Sequence, residues 1–224
     1  MLTKSFWNCL VAPVLVAFVV VVMFIVIGTH DAITINKIND FFIDPFTYCC
    51  YAFALGVMIC HLMPYQTKRQ KIHVSLFFVL FFCALLREMG VQHWLTTTDT
   101  TAFKLRFFTN PNNPLSEKII SALILLTVIS IIVYLLVCYL PKIIKGFFKL
   151  NPLYWTIATF GATGIICKIA DRLPGNLRKA GHELDALWKA WFELFEESTE
   201  LCLPLLCALA FVQFAKMASD KNTK

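Results

Sequence analysis

The chain has 224 residues, of which 58% are hydrophobic and 15% are charged, and its mean hydropathy is +0.70. These values exclude an ordinary soluble globular domain and are typical of integral membrane proteins. The formal net charge is +6, but the basic residues lie in short segments between apolar runs, which reflects membrane topology rather than nucleic-acid binding. We therefore expect membrane lipids, and no nucleic acid, among the partners of this chain.

Long apolar stretches predict six membrane-spanning helices. About 20 helical residues, at 1.5 Å per residue, cross the roughly 30 Å of hydrocarbon in a bilayer. The predicted spans cover about residues 10–28, 46–64, 74–90, 119–140, 153–170 and 198–216, with a polar connection over 29–45. The expected fold class is all-α, a polytopic transmembrane helix bundle that forms one integral membrane domain over 1–224.

Prolines define several of the predicted helix boundaries. Asn113 and Pro114 place a capping residue and then proline at the first helical position, so a helix is expected to begin there. Pro141 is expected to end the fourth span, and the segment 171–175 is expected to end the fifth. Pro204 is expected to kink the sixth span.

An amphipathic pattern precedes the last span. Over residues 176–197, leucine and aromatic residues recur at helical spacing while charged residues occupy the remaining positions. The pattern predicts an amphipathic helix lying in the membrane interface, with Trp188 and Trp191 at the level of the headgroups.

The distribution of basic residues predicts the orientation in the membrane. With six spans both termini lie on one side, and two short turns on that side carry three bases each: Lys68, Arg69 and Lys71, then Lys142, Lys145 and Lys149. Because short basic loops stay in the cytoplasm, we expect both termini there. A bacterial inner membrane is the expected location, and the endoplasmic reticulum is the alternative.

A face of four glutamates leads into the last span. Glu193, Glu196, Glu197 and Glu200 stand at i, i+3, i+4 and i+7 and share one helix face. Like charges at this spacing repel by about 0.2–0.5 kcal/mol per pair, so these carboxylates need cations, a metal or protons. The expected topology adds acidic residues at the ends of two other spans. The predicted acidic cluster is Glu88, Asp171, Glu193, Glu196, Glu197 and Glu200.

Basic residues are expected at the same membrane depth and predict a site for an anionic lipid headgroup, formed by Arg87, Lys104, Arg106, Lys168 and Arg172. The simpler alternative is an ion network that only locks three helix ends together. A metal site on the glutamates, with His93 or His182, is a further alternative, but no histidine stands at the usual ligand spacing. We therefore predict no metal and no cofactor.

No known catalytic motif occurs in the sequence, so the catalytic residues are unknown and enzymatic activity is left open. The first functional hypothesis is a non-catalytic membrane component: a sensor, a scaffold or a subunit of a complex. The second is a protein or enzyme that acts on lipid headgroups or lipid-linked substrates at the outer leaflet. A small transporter or channel is the weakest hypothesis. A homo-oligomer or a partner membrane protein is compatible with the small residues of the fifth span.

Overall fold

The structure is a computed structural model that describes residues 2–62, 67–94, 96–97 and 102–222. Within these ranges the chain is helical and has no β-strand. The α-helices are α1 (Leu2–Val26), α2 (Ala32–Ile38), α3 (Asp44–Leu62), α4 (Lys68–Glu88), α5 (Leu105–Thr109), α6 (Leu115–Phe148), α7 (Pro152–Lys179) and α8 (Ala186–Asn222). A π-helix covers Asn39–Ile43 and a 3-10 turn covers Val91–His93.

Six helical segments of the described chain are long and apolar enough to cross a membrane. They are Phe6–Val26, Ala32–Cys60, Lys68–Glu88, Leu115–Phe148, Pro152–Lys179 and Ala186–Met217. This confirms the all-α, six-span fold class predicted from hydropathy, and the protein is an integral membrane protein. The chain divides into two compact units: unit 1 is Met1–His61 with Ile143–Lys224, and unit 2 is Leu62–Lys142.

In unit 1, α7 and α8 form an antiparallel hairpin. The Thr156 hydroxyl of α7 donates to Oε1 of Gln213 over 2.9 Å near one end, and the Cys167 thiol donates to Oε1 of Glu200 over 3.5 Å further along. Helix α1 packs against both members of the hairpin. The indole of Trp191 donates to the carbonyl oxygen of Gly28, just after α1, over 3.0 Å. Helix α1 therefore runs antiparallel to α8.

The segment 29–45, predicted to be a polar connection, is largely helical. Ile35 and Ile43 are buried against Ala190 and Leu194 of α8, so one apolar face holds α2 and the π-helix on the first turns of α8. The π-helix ends at Ile43, two residues before Pro45, and α3 begins at Asp44. Because proline has no N–H to donate to the residue four positions earlier, a local change of helical pitch there costs little hydrogen bonding.

Two prolines do not end their helices, contrary to the sequence prediction. Pro141 lies inside α6 and Pro174 lies inside α7. A proline removes a single hydrogen bond of the helical ladder, and membrane helices tolerate this loss where neighbouring groups satisfy the freed carbonyl. Pro204 likewise lies within α8.

The predicted interfacial helix over 176–197 is interrupted in the structure. Residues 176–179 complete α7, residues 180–185 lie outside any helix, and α8 begins at Ala186. The reason is a Schellman turn: the backbone N–H of His182 donates to Leu177 O over 3.0 Å, and that of Gly181 to Arg178 O over 3.2 Å. Gly181 has φ = +87°, which favours glycine.

In unit 2, α4 and α6 are joined by a polar side-chain contact. Nδ1 of His73 lies 2.7 Å from the Tyr139 hydroxyl, and Nε2 lies 3.1 Å from the Tyr134 hydroxyl. The ring of His73 also meets both tyrosine rings edge to face. Helix α4 begins at a capping box formed by Thr67 and Gln70. Helix α6 begins directly after Pro114.

Candidate functional site

The glutamate face predicted from the sequence lies on the first third of α8. Leu194 and Leu201 are buried on the side of α8 that packs into unit 1. Glu200 is also buried, with 9% of its surface exposed, while Glu196 and Glu197 are half-buried and Glu193 is exposed. The carboxylates therefore become more enclosed as α8 runs toward its apolar segment.

The depth of Glu200 follows from the α7–α8 hairpin. Cys167, its hydrogen-bond partner, is 16 residues beyond Asn151, the N-cap of α7. At 1.5 Å per residue this is about 24 Å along the helix, against a hydrocarbon thickness of about 30 Å. The Cys167–Glu200 contact therefore joins two candidate membrane spans, Pro152–Lys179 and Ala186–Met217, at about that distance from the start of α7.

Two aspartates that the sequence analysis assigned to a connection belong to the same group of carboxylates. The Asp44 carboxyl group forms a hydrogen bond with that of Glu197 and interacts electrostatically with Asp40 and Glu200. Glu193 interacts with Asp40 and Asp44. Two carboxyl groups bond to each other only when one carries a proton. The i, i+4 spacing of Asp40 and Asp44 ahead of an apolar run was a usable sequence signal.

Helix α7 contributes the other side of the site. Glu196 interacts with Asp171, Glu200 and Lys168. Lys168 forms an ion pair with Asp171. We define the acidic cluster of unit 1 as the carboxylates connected by these interactions: Asp40, Asp44, Asp171, Glu193, Glu196, Glu197 and Glu200. Most of these interactions are between like charges, and Lys168 attracts both Glu196 and Asp171.

A cysteine lies at the deepest part of the acidic cluster. The side chain of this residue, Cys167, is buried, with 4% exposed. Its thiol also bonds Oε1 of Glu200. One ligand atom from each of Cys167, Glu196 and Glu200 lies within 4.8 Å of the other two. Thiolate and carboxylate groups at this spacing can hold a metal ion.

Two buried polar side chains beside the cluster lack hydrogen-bond partners among the described residues. They are Asn39, whose amide oxygen and nitrogen are both unpaired, and the hydroxyl of Thr47. Asn39 is 2% exposed and Thr47 is 3% exposed. Buried polar groups without partners are rare in folded proteins and are costly, so each needs an explanation.

The predicted site residues are distributed over both units. Lys168, Asp171, Arg172 and the four glutamates of α8 lie in unit 1, whereas Arg87, Glu88, Lys104 and Arg106 lie in unit 2. Arg87 pairs with its neighbour Glu88, Nη2 to Oε1, over 3.2 Å. Arg172, Lys104 and Arg106 are exposed. The joint headgroup site and the inclusion of Glu88 in one acidic cluster stay predictions.

The chain matches no protein-family model, and neither a curated protein nor a solved structure matches it. Its function is therefore inferred from its own side chains. The strongest indication is the group of carboxylates that α8, α7, α3 and the π-helix bring together within candidate membrane spans, with a buried thiol among them.

Proposed function

We propose that this chain is a non-catalytic multi-pass membrane protein, a sensor or a subunit of a larger complex, whose acidic cluster responds to a cation. The observation that carries the proposal is the convergence of seven carboxylates from three parts of unit 1. The absence of a known catalytic motif from the sequence supports a role other than catalysis.

The energetics of the cluster support a binding role over a purely structural one. Carboxylates held together near a low-dielectric layer repel one another, and the repulsion grows as water is excluded. A helix lock would gain stability from matched charges, whereas most of the interactions resolved within this cluster are between like charges. A bound cation would convert the repulsion into attraction, so occupancy of the cluster would change the stability of the α7–α8 hairpin.

The test is the melting temperature of the detergent-purified protein after chelation, measured with added Mg²⁺, Ca²⁺, Mn²⁺ or Zn²⁺. We expect at least one cation to raise the melting temperature in a saturable way, because a ligand that binds the folded state at 100 times its Kd adds about 2.7 kcal/mol. The increase should be smaller in Glu197→Gln and unchanged in Glu183→Gln, an exposed acid outside the cluster. Equal shifts in both variants, or none in the wild type, would refute the proposal.

A second function has support from residues of unit 2. Lys104 lies directly before α5 and Arg106 lies in its first turn, and both side chains are exposed. Phe107, the next residue of α5, is fully buried. Exposed bases beside an anchored aromatic are suited to an anionic lipid headgroup at the membrane surface. This alternative, a lipid-headgroup or lipid-linked-substrate protein at the outer leaflet, predicts an anionic lipid that co-purifies with the wild type. Native mass spectrometry should show its loss in Arg106→Ala and Arg172→Ala, and retention would reject it.

A transporter or channel is the weaker third alternative, and its test is cation flux into proteoliposomes.

For location, we propose a bacterial inner membrane with both termini in the cytoplasm. The start of α7 and the end of α8 lie at the same end of their hairpin. Three lysines directly precede α7 in the sequence, and basic residues beside a span favour the cytoplasmic side: Lys142, Lys145 and Lys149. A cysteine placed at Lys145 should react with a reagent confined to the cytoplasm, and one at Glu183 should not.

A further inference from the structure

The deepest part of the acidic cluster differs from the rest because sulfur joins oxygen there. Cys167 and Glu200 are both more than nine-tenths buried, and Glu196 on the next turn of α8 completes a group whose ligand atoms lie within 4.8 Å of one another. Two carboxylates alone suit Mg²⁺ or Ca²⁺, which prefer oxygen. A thiolate with carboxylates suits Zn²⁺, which accepts sulfur and oxygen ligands in one tetrahedral site.

We propose that Cys167, Glu196 and Glu200 bind one divalent cation of the Zn²⁺ class. This inference rests on the proposed function, since it names the cation to which the acidic cluster responds. Three ligands leave one position of a tetrahedral site for water or for another carboxylate. Binding replaces the thiol proton of Cys167 with the metal, and the released proton leaves through the more exposed carboxylates toward the membrane boundary.

An independent observation from α3 supports a ligand at this position. Ile43 packs in the apolar cluster against α8, and Asp44 bonds Glu197 of α8. Thr47 lies four residues after Ile43 and three residues after Asp44. On the circumference of the helix it therefore lies between these two positions, which both face α8. Its hydroxyl, buried and unpaired among the described residues, therefore belongs to the face of α3 that carries Asp44, one turn beyond this carboxyl group, which interacts with Glu200. A metal-bound water would provide the missing partner.

The charge balance and the surroundings also fit. A thiolate and two carboxylates carry three negative charges, so a divalent cation leaves a net charge of −1. Lys168, which pairs with Asp171, also attracts Glu196 and so lowers the cost of this remaining charge. Asp44 interacts with Glu200 from the α3 side and is placed to orient it. Glu193, exposed at the start of the glutamate face, marks an entry path from the membrane boundary.

Cobalt(II) provides a direct test, because Co²⁺ occupies zinc sites and shows a near-ultraviolet charge-transfer band only when a thiolate binds it. The full chain, purified in detergent and treated with a chelator, would be titrated with CoCl₂ and then with ZnCl₂. We expect the band to saturate at one Co²⁺ per chain and to disappear on addition of Zn²⁺. Cys167→Ala should abolish the band, and Cys60→Ala, which removes an exposed cysteine, should retain it.

A second variant guards against misfolding of Cys167→Ala. Glu196 is only half-buried, so Glu196→Gln should fold, keep the thiolate band and weaken Co²⁺ binding at least tenfold. No band in the wild type, a band that survives Cys167→Ala, or unchanged affinity in Glu196→Gln would overturn the zinc site. If cations still raise the melting temperature through Glu197 in that case, the proposed function stands with an oxygen-only site. If no cation has an effect, both proposals fail.

Discussion

Two polar groups inside the membrane helices of this protein are built in opposite ways. In unit 2, His73 is 5% exposed and each of its ring nitrogens bonds a tyrosine hydroxyl. A neutral imidazole has one donor and one acceptor, so two hydroxyls satisfy it completely. In unit 1, most of the interactions resolved within the acidic cluster are between like charges, and Asn39 and Thr47 beside it have no partners among the described residues.

This difference indicates which polar group serves the fold and which serves a ligand. A fully satisfied group stabilises the structure by itself, whereas a partly satisfied group costs free energy until something binds. Proteins keep such costs mainly at functional sites. The comparison predicts that mutations in the His73 group will destabilise the protein, while neutral replacements in the acidic cluster will stabilise the cation-free protein.

The largest effect is expected for His73→Ala. Both tyrosine hydroxyls lose their partner and the ring leaves a gap, so we expect the free energy of unfolding to fall by about 2 kcal/mol or more. The measurement is reversible denaturation in mixed micelles. His182→Ala, which removes an exposed imidazole, is the control and should change little. Similar losses in the two variants would show that the His73 group does not stabilise the fold.

A pair of threonines tests the comparison more sharply, because the same substitution should have opposite signs. Thr156 donates to Gln213, so Thr156→Val should lower the free energy of unfolding by about 0.6 kcal/mol, the average for hydrogen bonds in membrane proteins. Thr47→Val removes an unpaired hydroxyl and should raise it by a similar amount in chelator-treated protein. Destabilisation by Thr47→Val would show that its hydroxyl has a partner in the cation-free state.

A smaller increase in the free energy of unfolding is expected for Glu197→Gln. The carboxamide keeps a hydrogen-bonding group opposite the Asp44 carboxyl group and cannot ionise, so the cluster can hold one negative charge fewer. Relief of like-charge repulsion should raise the free energy of unfolding by about 0.5 kcal/mol in the presence of chelator. Glu183→Gln should leave it unchanged. If Glu197→Gln destabilises the protein as Thr156→Val does, the carboxylate is a structural partner and not a ligand group.

The smallest effect concerns Asp31, an exposed carboxylate outside the spans that serves as a reference for the cluster. The Thr34 hydroxyl donates to Oδ1 of Asp31 over 2.6 Å and lowers the pKa of Asp31. A lowered pKa in the folded state gives stability that is present above the ordinary pKa and is lost as the pH falls through the folded value. In Thr34→Val, an NMR titration should show a higher pKa for Asp31. An unchanged pKa would show that this hydroxyl has no effect.

The sequence predicted the six spans because hydropathy is a local property that every bilayer-facing helix must satisfy. It also predicted the shared face of the glutamates, since positions three and four apart lie together on any helix. It did not predict the parts of the site that come from other segments. Cys167 meets Glu200 across 33 residues, and Asp44 meets Glu197 across 153.

Helix boundaries show the same division. Pro141 and Pro174 are local signals for an end, but the helices continue because the loss of one hydrogen bond is small beside the burial and hydrogen bonding of a whole membrane helix. The break predicted near 171–175 occurs at Gly181, where a left-handed residue closes a Schellman turn. A glycine among polar residues was a weaker signal than proline and proved to be the operative one.

By itself, the sequence determined that this protein is an all-α membrane protein and that four glutamates enter the last span on one face. Both follow from the cost of exposing backbone polar groups to lipid and from the 3.6-residue period of the helix. Only the tertiary structure decided what stands around those glutamates: two aspartates from α3 and the preceding π-helix, and a thiol from α7. Contacts between distant segments depend on which apolar faces pack together. Here Ile35 and Ile43 pack against α8, and this packing brings the two aspartates to the glutamates.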